Sequence, residues 1–182
     1  MGDPFLSDRF LDEIGLGEMS DDDRRRLRAE LGDRLSEQVG YALSEGLSEH
    51  QLDEFGSLAE GDPQVIAGWL ESNSPDFLAD QLYLEMRRRA PNASDAEVLS
   101  DYCIHLWLMK NRPDYGDTVE AVRRTIEDEL VLGLADAGYP RAALQATARF
   151  PEDARVERWL HCAYPGGVAS DDMPPDEVVT AT

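Results

Sequence analysis

Lysine is nearly missing from this chain. Only Lys110 represents it among 17 basic residues, which face 38 carboxylates, so the 182 residues carry a formal net charge of −21. An excess of that size argues against direct binding to nucleic acid or to an anionic membrane, since both surfaces are themselves negative. It favours solubility, a basic protein partner or a salty cytoplasm; the Arg bias suits a GC-rich genome equally well. Cysteine is scarce too. Cys103 and Cys162 are too few for the disulfide framework of a secreted domain. No apolar run approaches the ~20 residues that span a bilayer. Asp3, Asp8 and Asp12 are unlike the basic start of a signal peptide. The expectation is a soluble cytoplasmic protein.

Alternation of apolar and polar residues is also wanting, which leaves no candidate strand. What fills the chain is helix grammar. A short helix over about Pro4 to Ile14 ends at Gly15 and Gly17. Ser20 and Asp21-Asp22-Asp23 open a long one whose apolar positions, Leu27, Leu31, Leu35, Val39 and Leu43, step by four. That stripe winds around the helix and favours steeply crossed neighbours over a long coiled coil. Ser48 with Gln51, and Ser94 with Glu97, form capping boxes, and Asp62-Pro63 reads as cap and first turn. Inward positions are expected at Leu52, Phe55, Leu58, Val65, Ile66 and Leu70, then at Phe77, Leu78, Leu82 and Met86 of one helix opened by Pro75-Asp76.

All three tryptophans sit in one frame, Trp-Leu with a proline six residues after the Trp. They read Trp69-Leu-Glu-Ser-Asn-Ser-Pro75, Trp107-Leu-Met-Lys-Asn-Arg-Pro113 and Trp159-Leu-His-Cys-Ala-Tyr-Pro165. In the first two copies the Trp ends a helix, Asn73 or Asn111 turns the chain in the left-handed conformation, and Pro75 or Pro113 opens the next helix. The indoles are expected to pack and to set the interhelix angle. The third copy has Ala163 for Asn and no helix-forming sequence after it. Trp159, Leu160 and Tyr164 are therefore a candidate face for a partner helix, unless the first helix or the long helix over 113–135 closes it internally. The expected fold is all-α, a compact orthogonally packed domain with a partial internal repeat of a helix–corner–helix unit. Its expected divisions are 1–91, a second region 92–165 packed on it, and a disordered acidic tail over 166–182.

Three motifs in order carry a resemblance: Phe10-Leu-Asp-Glu-Ile-Gly-Leu16, Leu47-Ser-Glu-His-Gln-Leu-Asp-Glu-Phe55 and Trp69 to Phe77. They resemble a small bacterial helical family of uncharacterised function, with LS-x-x-QL-x-EF and WL-x-x-N-x-P-x-aromatic motifs, over about residues 5–88. The resemblance implies a compact all-α domain and supplies no catalytic residues.

Motifs for chemistry are largely wanting. Cys103, His105, His161 and Cys162 lack the spacing of familiar zinc sites, and neighbours on a helix point about 100° apart. Cys103 and His105 point to opposite sides of one helix, which speaks against a thiol–imidazole pair. No nucleophile elbow, phosphate loop or His-Glu-x-x-His is present. No cofactor or metal is expected. Together these features favour a non-enzymatic interaction module, an adaptor, regulator or inhibitor, that offers an acidic helical surface to a protein partner. The alternatives are an acidic mimic of nucleic acid and, behind it, a small helical enzyme; homo-oligomerisation stays open.

Overall fold

The computed structural model describes residues 5–165; the tail expected over 166–182 lies outside the described residues. The described chain is all-α and contains no strand. Its helices are α1 (Asp8–Glu13), α2 (Asp21–Ser44), α3 (Glu49–Ala59), α4 (Pro63–Asn73), α5 (Gln81–Arg89), α6 (Asp95–Asn111), α7 (Tyr115–Asp136), α8 (Pro140–Arg149) and α9 (Val156–Ala163), with a 3-10 turn at Phe77–Ala79 between α4 and α5.

Helix starts follow local chemistry. The Ser48–Gln51 box opens α3, and in the Ser94–Glu97 box Ser94 N–H donates to Glu97 Oε2 at 2.7 Å while Glu97 N–H donates to Ser94 Oγ at 3.3 Å. Asp62 Oδ1 accepts from Gln64 N–H at 2.7 Å, with Pro63 at the first helical position. Gly61, just before, takes φ 74°, a conformation that an L side chain resists.

Helix ends share one device. Ser74, Ala90, Arg112, Phe150 and Tyr164 each precede a proline, with φ between −155° and −117° and ψ between 62° and 72°. Proline's ring excludes the helical region for the residue before it, so each helix stops there, its last N–H bonded four residues back. Asn73 and Asn111 are therefore not left-handed, contrary to expectation; the positive-φ residues are glycines apart from Leu6. Each Asn remains helical and sends its amide back to the tryptophan carbonyl, Asn73 Nδ2 to Trp69 O at 2.9 Å and Asn111 Nδ2 to Trp107 O at 3.0 Å.

The two corners diverge after the proline. Pro113 leads into the 22-residue α7, whereas the helix expected from Pro75-Asp76 is broken. Asp80 is extended, with φ −70° and ψ 130°, and its carboxylate caps Leu82 N–H at 2.7 Å, so α5 restarts there. Leu78, expected inward, is consequently 68% exposed, and Leu52 and Val65 are also exposed.

Among the described residues two compact units emerge: residues 5–35 with 123–165, and residues 36–122. The division falls inside α2 and α7 and not at residue 91. The reason is side-chain packing: Val98, Tyr102, Cys103 and Trp107 of α6 share one core with Leu58 of α3 and Ile66, Trp69 and Leu70 of α4. Phe77, Tyr83 and Tyr102 stack beneath the first corner, Phe77 and Tyr83 edge-on at 5.4 Å and Tyr83 and Tyr102 at 5.6 Å. The Tyr102 hydroxyl lies 3.1 Å from Ser74 Oγ.

The core of the other unit gathers Leu6, Leu11 and Ile14 with Val131 and Ala135 of α7, three alanines of α8 and Trp159 of α9. Leu27 and Leu31 of α2 pack against it. The winding stripe of α2 is thus half-buried throughout, with no fully buried residue.

Candidate functional site

Within residues 36–122, α4 offers one helical face at Pro63, Ile66, Ala67, Leu70 and Glu71, positions that recur at helical spacing. Opposite stand Ala96 and Leu99 from the first turns of α6, with Pro75 and Phe77 closing the end. Together they line an open groove of about 420 Å³, within the range of sites that take ligand-sized apolar groups. Ile66 and Leu70 form its floor and belong to the core, while Pro63, Ala67, Glu71, Pro75 and Ala96 are exposed. Glu71 is the one ionisable side chain in the lining. The hollow exists because Ala67 and Ala96 are small where a larger residue would fill the space. Sequence periodicity recorded Ile66 and Leu70 only as core; the two alanines on facing helices were the available signal.

A smaller hollow, of about 90 Å³, touches the second corner through Leu43, Leu47, Phe55, Trp107 and Arg112. Here Arg112 is nearly enclosed: its Nη1 donates to Ala42 O at 3.2 Å, to Leu43 O and to Glu45 O, carbonyls at the end of α2. Its other face forks onto Asp114 at 2.9 and 2.8 Å, which holds the Asp114 carboxyl down at about 2. In the other unit a wider polar depression lies among Asp12, Glu18, Tyr139 and Arg141, the last donating to Asp12 O at 3.0 Å.

The tryptophans sit as packing residues. Trp107 is buried, 4.9 Å from the Phe55 ring, and its indole N–H donates to Glu54 Oε2 at 2.6 Å. Trp69 is buried on the same core. Trp159 is fully buried, so the candidate partner face over Trp159, Leu160 and Tyr164 is corrected: the third corner is closed internally by α1, α7 and α8. Its N–H donates to Asp136 Oδ1 at 2.9 Å, and the Arg155 guanidinium lies 4.8 Å over the ring. The Trp159 hydrogen bond is the first cause, and Arg155 and Arg158 further ones, that lower the Asp136 carboxyl. Leu160 is half-buried and Tyr164 exposed. Glu54 and Asp136 as indole acceptors were not read from the sequence, because they lie 53 and 23 residues from their donors.

Cys103 is buried in an apolar setting that pushes its thiol up to about 11, while His105 on the same helix is exposed. His50 and His161 are exposed and Cys162 half-buried. Among the described residues no cluster of three or more His, Cys, Asp or Glu side chains is arranged to hold a metal ion. No helix among them is long and apolar enough to cross a membrane.

These features define an all-α protein of two compact units, one of which carries an apolar surface groove. The chain belongs to the family described as Protein of unknown function (DUF5663), whose model matches residues 10–130. The match extends beyond the stretch over 5–88 on which the motifs resembled a helical family. Comparison with curated proteins and with solved structures finds no match.

Proposed function

We propose that this protein is a non-enzymatic interaction module, an adaptor, regulator or inhibitor, that docks a protein partner on its acidic helical surface. The observation that carries the proposal is the groove between α4 and α6: exposed, apolar-floored and lined by a single ionisable group. Such a surface suits the capture of apolar side chains better than acid–base chemistry, which needs convergent titratable groups. The net charge of −21 selects for basic partners.

That charge also favours a second reading, in which carboxylates imitate nucleic-acid phosphates and occupy the basic groove of a DNA- or RNA-binding protein. Affinity capture from native lysate separates the two, using the wild-type chain beside Ala67→Trp, which fills the groove. A partner lost with Ala67→Trp and retained at high salt supports docking in the groove. A nucleic-acid-binding protein held equally by both chains and released at moderate salt supports mimicry and overturns the groove.

A further inference from the structure

Charge around the groove is one-sided. Residues 62–80, which supply α4 and the corner, contain Asp62, Glu71, Asp76 and Asp80 and no lysine or arginine. Residues 94–104, which supply the opposite wall, contain Asp95, Glu97 and Asp101 and again no basic residue. Two cations outside these segments have partners within them: Arg87 pairs with Asp95, and Lys110 donates to Asn73 Oδ1 at 2.9 Å. Glu71 is exposed in the lining, and among the described residues no ion pair is seen for it. An apolar floor inside an anionic rim repels nucleic acid, acidic lipid and a second copy of this chain.

Exposure of the rim limits the occupant further. A small ligand usually buries 70–90% of its own surface in its site. Here five of the nine lining residues are exposed, so a ligand would stay partly in water unless it brought its own cover. A segment of a folded protein brings that cover. We infer that the groove binds a cationic amphipathic segment of a protein partner. Bulky apolar side chains on one face of that segment seat against Ile66, Leu70, Phe77 and Leu99, with an arginine or lysine within about one helical turn facing Glu71. This inference rests on the docking function proposed above and specifies what docks.

A random dodecapeptide library displayed on phage, selected against the full chain, tests it. Enriched peptides are expected to combine leucine, phenylalanine or another bulky apolar residue with an arginine or lysine within four positions. The best of them, synthesised and titrated, should weaken about tenfold or more with Ala67→Trp and roughly twofold to fivefold with Glu71→Gln. Its addition should shift the backbone amide resonances of Ala67, Glu71 and Leu99. Ala67 and Ala96 are both exposed, so Ala96→Phe serves as the second filling variant should Ala67→Trp lose its circular dichroism. Peptides that are lost with the filling variants yet lack cations, or ignore Glu71→Gln, overturn the cationic specificity and leave the docking function standing. Selection of no peptide above background, or only of peptides that bind the filled variants equally, overturns both.

Discussion

Replacing Trp159 with alanine measures how far the third corner belongs to the interior. The indole has no exposed surface, so folding removes about 150–250 Å² of aromatic side chain from water. At about 25 cal/mol per Å² that is about 4–6 kcal/mol, and compactness of the unfolded chain reduces it to about 3–5 kcal/mol. Direct experience with Trp-to-Ala changes in cores gives the same range, about 3–5 kcal/mol. The Arg155 guanidinium over the ring and the bond to Asp136 both disappear with it. Trp159→Phe should fall between wild type and alanine, since it keeps a ring and loses the donor. The assay is equilibrium urea unfolding followed by far-ultraviolet circular dichroism, with Tyr41→Ala as an exposed control. Tyr41 is 72% exposed, and its loss should stay within about 0.5 kcal/mol. If Trp159→Ala costs no more than Tyr41→Ala, the burial of the third corner is refuted and its face is again available to a partner.

Three other outcomes are expected. In the native protein Cys103 should resist an aromatic disulfide reagent at pH 8, because burial both hides its thiol and holds the thiolate form back to about pH 11; it should react once urea unfolds the chain. The carboxyls of Asp114 and Asp153 are held at about 2, below the ordinary 3.8, chiefly by hydrogen bonds from Arg112 and Arg155. A depressed folded value stabilises the fold fully above the unfolded pKa, and that stability is lost as pH falls through the folded one. Urea midpoints should therefore drop between about pH 4 and pH 2, with a shallower drop for Asp114→Asn. Arg112→Lys should retain the charge but lose the planar fork that spans Asp114 and the end of α2; faster amide exchange around Leu43 to Leu47, with α9 unchanged, is the readout.

Much of the helix plan was written locally. Ser48 with Gln51, Ser94 with Glu97 and Asp62 with Pro63 act within three residues, so their bonds form in whatever tertiary setting the helix later finds. The prolines act on the residue just before them, which is why five helices end in the same backbone shape. Asp80 is not legible in the same way: helix-compatible residues on both sides hide one extended cap. The sequence marks the place of Asn73 but not its conformation, because its side chain, and not its backbone, completes the corner.

Composition and short-range chemistry by themselves determined an all-helical, strongly acidic chain punctuated at its caps and prolines. The tertiary structure alone decided which residues share a core, which carboxylates receive the Trp107 and Trp159 indoles, and where two alanines from separate helices leave a groove unfilled. Caps and stops are settled within a few bonds along the backbone. Burial, pairing and empty space depend on which distant side chains meet, and periodicity within one helix carries no information about the residue on the other side of the contact.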